Sequence, residues 1–195
     1  MKKRILVVLC MLSMMLCFNS TDVKAMDKLA PYYDILCSVN KEYHTELYIM
    51  DKKEFSNSPI KDEFDSNYNS YISNILNTDI ERFREECVDI VKSETEIEVS
   101  AITHSRSTLA KKTVAFYSAR NSMTLTYKHN GSKFDTSYKP SATVKKLNST
   151  NYFSMTSYSG SFKNSNKTYS VVAKGKIYTI TGVATNRSFT VNFNL

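Results

Sequence analysis

Apolar residues recur at helical spacing through the first half of the chain and alternate singly through the second. Over residues 29–43, Tyr32, Ile35, Leu36, Val39 and Tyr43 fall along one side of a helix. Leu47-Tyr48-Ile49 is a short apolar piece that suits either a strand or the exit of that helix. Ser58-Pro59 reads as a second helix start, a capping serine followed by a proline in the first turn. Its buried stripe would be Ile60, Phe64, Tyr68, Tyr71, Ile72 and Ile75, with Asp62 and Glu63 near the positive end of the helix dipole. Thr78-Asp79 with Glu81 behind it has a capping-box pattern, and the third helix would bury Ile80, Phe83, Cys87, Ile90 and Val91.

Beyond residue 100 the period changes from 3.6 to 2. Met123, Leu125 and Tyr127 alternate with Ser122, Thr124, Thr126 and Lys128, and Phe134, Thr136 and Tyr138 alternate after His129-Asn130-Gly131-Ser132. Asn-Gly between alternating runs predicts a tight hairpin, because both turn residues tolerate positive φ. A two-residue loop there sets Tyr127 opposite Phe134, Leu125 opposite Thr136 and Met123 opposite Tyr138. Further strands are expected over 113–118, 142–147, 152–158, 169–174, 177–180 and 189–195. The fold class predicted is α+β: about three short N-terminal helices, then an antiparallel β-sandwich-like or small-barrel domain of about seven strands.

The first 25 residues stand apart from both patterns. Lys2, Lys3 and Arg4 precede an apolar run from Ile5 to Phe18, and Val23-Lys24-Ala25 offers small or modest side chains for cleavage. The run is shorter than the roughly 20 residues a membrane-spanning helix needs, and no later stretch is apolar enough to span a bilayer. The expected organisation is therefore a secretory signal over 1–25, a helical segment over 26–100 and a β-rich domain over 101–195. The product is expected to be secreted or held at the cell surface.

Charge sharpens that division. Residues 26–100 hold 8 Lys and Arg against 17 Asp and Glu, a net of −9, whereas 101–195 hold 14 against the single acid Asp135, a net of +13. Such a basic field attracts polyanions. The lysines fall mostly at polar strand positions or turns, and the candidate binding set is Lys128, Lys133, Lys139, Lys145, Lys146, Lys174, Lys176 and Arg187. Lys111, Lys112, Lys163 and Lys167 belong to the same basic population. The expected partner is an anionic polymer or cell surface, such as wall polymer, glycan or lipid head groups, rather than nucleic acid. Two plainer explanations compete: lysines keep an exposed β surface soluble and guard its edges, or the acidic helices neutralise the basic face by docking on it.

Catalytic chemistry finds less support. His44-Thr45-Glu46 falls short of the three protein ligands of a catalytic zinc, and His129 reads as a solvated turn residue. His104 lies beside Ser105 and Ser107, so a secreted hydrolase with a site near His104 is the enzymatic alternative, although no Gly-x-Ser-x-Gly elbow occurs. Asp135 is the one acid of the β half, which leaves no glycosidase carboxylate pair there. With four glycines in the chain there is no phosphate-cradling loop, and no cofactor or metal is expected. The alternating strands 122–128 and 151–158 also have the period of a membrane-acting toxin's hairpin. Past the signal, Cys37 and Cys87 could form one disulfide, worth roughly 4 kcal/mol in a chain-entropy account, or stand as separate thiols.

Overall fold

The computed structural model describes residues 23–99, 109–148 and 151–195. Among these, helices gather at the N-terminal side and two β-sheets follow, an α+β arrangement with a sandwich-like β region. The expected export signal lies outside the described residues except for Val23–Ala25, which open the first helix.

Helix α1 (Val23–Tyr43) ends where His44 turns left-handed at φ 53°. The Asn40 side chain then grips the chain reversal, its Nδ2 donating to Leu47 O at 2.8 Å and its Oδ1 accepting from Leu47 N–H at 2.7 Å. Strand β1 (Tyr48–Ile49) settles the ambiguity over Leu47-Tyr48-Ile49 as a strand. Helix α2 (Lys52–Asn57) follows, capped by Asp51, whose carboxylate accepts from Glu54 N–H. No helix is expected here from the sequence, because six residues show too little periodicity to reveal one.

The single helix expected from Ser58 is two elements. A 3-10 turn (Pro59–Phe64) stops at Asp65 and Ser66, both left-handed at φ 52° and 57°. Helix α3 (Tyr68–Asn77) then restarts under Asn67, whose side chain accepts from Asn69 and Ser70 N–H. Ser58 does not cap; its Oγ donates to Phe55 O instead. The apolar stripe survives the break, since Ile60, Phe64, Tyr71 and Ile75 are all buried. Helix α4 (Ile80–Lys92) begins where expected, but under Asp79 rather than a Thr78–Glu81 box: the Asp79 carboxylate accepts from Glu81 and Arg82 N–H, while the Thr78 hydroxyl donates to Asn74 O. It buries Phe83, Cys87 and Ile90.

The larger sheet runs in the order β1–β8–β7–β6, formed by β6 (Asn151–Lys163), β7 (Thr168–Thr179) and β8 (Val183–Asn194) with β1 at one edge. Strand β2 (Glu96–Val99) lies along the other end of that same β8 edge and runs parallel to it, Glu96 opposite Thr190 and Val99 opposite Phe193. Every other pairing is antiparallel. The second sheet holds β3 (Ala110–Phe116), β4 (Asn121–Tyr127) and β5 (Ser141–Lys146) in that order. The two runs expected at 169–174 and 177–180 are one strand, β7, because Gly175 and Lys176 stay in the ladder.

The hairpin register departs from expectation. Strand β4 pairs with β5, Leu125 opposite Ala142 and Met123 opposite Val144, rather than with Phe134–Tyr138. The Asn130 carboxamide accepts from Ser132 and Lys133 N–H, and the first bridge past the turn joins His129 to Phe134. Asp135 then accepts from Ser137 N–H and Oγ–H, which turns the chain away before a second strand can form. Tyr127 and Phe134 still meet, their rings 5.1 Å apart edge to face.

One hydrophobic core runs through helices and both sheets. Phe116 of β3, Phe153 of β6 and Phe189 of β8 form a ring triangle at 4.9–5.8 Å that fastens sheet to sheet. Phe55, stacked on Tyr71 at 5.0 Å, anchors the helical side. The Tyr71 hydroxyl donates to Gly182 O at 2.7 Å and accepts from Met50 N–H, joining α3, β1 and the β7–β8 turn. The acidic segment thus shares both backbone pairing and core with the basic strands.

Candidate functional site

The eight expected binding residues separate into three environments. Lys146, on the inner side of β5, sits 3.4 Å from Glu63 and 4.8 Å above the Tyr152 ring. Burial, with Glu63 close by, pushes the Tyr152 hydroxyl up to about 12. Lys176 on β7 forms an ion pair with Glu54, and the Tyr48 hydroxyl donates to the same carboxylate at 2.6 Å. Those contacts hold the Lys176 ammonium above its ordinary range, the Glu54 hydrogen bond first. Arg187 on β8 donates from Nη2 to Val91 O at 2.9 Å and Ser93 O at 3.4 Å, so its charge sits at the negative end of α4. Desolvation lowers its pKa. These three cations hold the helical segment against the strands.

Lys174 lies between that group and solvent. It is exposed, and with Arg187, Thr95, Thr156, Asn186 and Ser188 it lines an open groove of about 530 Å³ over the β6 bulge between Met155 and Ser157. The groove is polar and shallow.

Lys128, Lys133, Lys139 and Lys145 belong to the three-stranded sheet and its turns. Lys133 and Lys139 are exposed in the connection between β4 and β5, and Lys128 lies 5.4 Å over the Tyr138 ring. Lys145 points outward from β5. Register places it with Lys111 on one face: Lys111–Thr126–Ser141, Thr113–Thr124–Thr143 and Ala115–Ser122–Lys145 form three consecutive cross-strand rows. All nine positions are exposed or half-buried, and none is acidic or aromatic. Thr113 and Thr124 share a hydroxyl hydrogen bond at 2.8 Å. The opposite side of the same strands carries Met123, Leu125 and Phe116 into the core.

Two ion pairs, Lys146–Glu63 and Lys176–Glu54, occur among the described residues. Other acids are held by neutral partners. Glu86 is half-buried and hydrogen-bonded by Asn151 and Thr181, yet desolvation still raises its pKa. Glu98 accepts from Asn192 and Asn194.

His129 departs from the solvated turn residue expected: it is 4% exposed, its Nδ1 accepts from Gly131 N–H, and it packs beside Tyr127. His44 is exposed at the end of α1. His104 and its neighbouring serines lie outside the described residues. Cys37 is an exposed free thiol and Cys87 a buried one, whose pKa burial pushes up to about 12. Among the described residues, no three His, Cys, Asp or Glu side chains gather as metal ligands, and no helix is long and apolar enough to cross a membrane.

No protein-family model and no curated protein matches the chain. One solved structure that it matches is a two-domain protein with unknown function from Bacteroides thetaiotaomicron, at 17% identity over 75% of this chain and 67% of that chain. The TM-score is 0.28, too distant to contribute to a functional reading.

Proposed function

We propose that this chain is an exported, non-enzymatic binding protein whose basic β region holds an anionic polymer or anionic cell surface. The observation that supports it is incomplete internal neutralisation. Docking of the acidic helices absorbs Lys146, Lys176 and Arg187, while Lys111, Lys133, Lys139 and Lys145 remain exposed and form no ion pair among the described residues. A basic surface with no acid within its own sheet concentrates polyanions in its field.

The test is retention of residues 26–195 on an immobilised polyanion across a salt gradient. Binding through several lysines gives firm retention at about 50 mM salt and steep release by about 200 mM, the signature of counterion displacement. Passage straight through at low salt overturns the reading.

A further inference from the structure

We infer that the ligand lies across the outer face of the three-stranded sheet and is a linear polyol-phosphate polymer, held by lysine ammonium groups and read by rows of hydroxyls. This rests on the polyanion reading above and adds to it a surface and a ligand class.

The argument starts from geometry. Neighbouring strands stand about 4.8 Å apart, and same-face residues along a strand about 6.7 Å apart. The three rows therefore make a grid about 10 Å by about 13 Å. Six of its nine positions are Ser or Thr, and Lys111 and Lys145 sit at diagonal corners. Lys128 continues the same side of β4 beyond the grid, in the direction of exposed Lys139. A chain laid from Lys128 across the Thr113–Thr124–Thr143 row to Lys145 meets cations at both ends and donors between them. The one carboxylate near this edge, Asp135, is occupied by Ser137.

What the face lacks narrows the ligand. Nucleobases and sugar rings need a flat apolar or aromatic platform for stacking; Ala115 is the one apolar residue on the grid, and the half-buried Tyr138 ring beyond it has the Lys128 ammonium over its face. Among the described residues, the grid carries no arginine fork for bidentate recognition of a rigid phosphate or carboxylate pair. Hydroxyls and flexible ammonium groups suit a ligand that is polar throughout, with phosphodiester oxygens to accept and its own hydroxyls to exchange hydrogen bonds. Edge protection explains a lysine on each outer strand, but not the absence of acids or the hydroxyl rows between.

The experiment uses residues 26–195 on immobilised poly(glycerol phosphate), a sulfated glycan and duplex DNA in parallel salt gradients. The wild type is expected to elute last from poly(glycerol phosphate). Later elution from DNA or the sulfated glycan overturns the ligand class. A triple Lys111→Gln, Lys128→Gln, Lys145→Gln variant should lose about two units of salt slope, three phosphate contacts at about 0.7 each. A triple Thr113→Val, Thr124→Val, Thr143→Val variant keeps branched strand residues and should elute earlier with its slope unchanged. Single Thr143→Val, on an outer strand, carries the same test if the triple variant fails to fold. Lys174→Gln, in the groove, tests the rival location and should lower the slope far less than the lysine triple does. Retention lost with Lys174→Gln but kept in the lysine triple places the ligand elsewhere, overturning this inference and leaving the polyanion reading intact. Unaltered retention in the valine variants reduces the face to a diffuse field, with the same consequence. A lysine triple that aggregates instead of losing affinity assigns Lys111 and Lys145 of the outer strands to edge protection and overturns this inference. No retention of the wild type on any column removes both.

Discussion

Lys145 and Lys146 are adjacent in the chain and belong to different parts of the molecule. Lys146 turns inward to Glu63 and the Tyr152 ring, while Lys145 turns outward onto a face of hydroxyls. The cause is the two-residue period of a strand, which sends successive side chains to opposite faces. The same contrast extends to the two regions as a whole. On the docking side, Lys176 and Arg187 meet a carboxylate and a helix C-terminus. On the outer face, Lys111 and Lys145 meet solvent. A count of charge along the chain cannot distinguish cations that hold the fold together from cations left for a partner.

That contrast can be broken most completely by separating the two halves. A fragment of residues 101–195 loses both edge partners of β8 and the helical part of the shared core. It should show no cooperative thermal transition by circular dichroism, whereas residues 26–195 unfold in one. Within the intact chain, Tyr71→Phe strands Met50 N–H and Gly182 O in a buried site. The expected loss is about 3 kcal/mol by urea denaturation, since each orphaned buried group costs on the order of 1–3 kcal/mol.

Lys176→Gln removes the charge from a partly buried pair and should cost about 2 kcal/mol, with Glu54→Gln recovering part of it in a double-mutant cycle. Glu86 sharpens the picture through pH. Its folded pKa is raised above the ordinary 4.5, burial outweighing the bonds from Thr181 and Asn151. Below about pH 4.5 both states hold the proton. As pH climbs from there toward the folded value, the unfolded chain ionises first, so stability falls. Glu86→Gln should flatten that decline in urea midpoints measured from about pH 4 to about pH 7.

The smallest expected effects lie in the adjacent pair. Lys146, with its side chain 49% exposed, should cost below about 1 kcal/mol as Lys146→Gln. Lys145→Gln should stay within about 0.5 kcal/mol of wild type and lower retention on poly(glycerol phosphate). A stability loss at Lys145 equal to that at Lys146 would erase the distinction between the two faces.

Much of the local structure was legible residue by residue. Asp79 before an amphipathic run marked the start of α4, and the alternation of Met123, Leu125 and Tyr127 assigned β4 and its buried side. Turn chemistry was less transparent. Asn130-Gly131 does reverse the chain, but the Asp135 carboxylate turns it again, so the strand that pairs with β4 begins at Ser141. The left-handed Asp65 and Ser66 broke a helix whose apolar spacing survived the break, because burial constrains which residues point inward rather than the path between them.

The sequence by itself determined the helix-then-strand order, the apolar face of each element, and an acidic segment followed by a basic one, because these depend on neighbours a few residues away. Only the tertiary structure decided that β1 and β2 join β8, that Glu54 and Glu63 reach Lys176 and Lys146, and that three hydroxyl rows line up across β3, β4 and β5. Those outcomes depend on register and on contacts between segments as much as 122 residues apart. Strand pairing is a choice among distant partners, settled by burying one continuous core, and local pattern constrains each strand's faces without naming its neighbour.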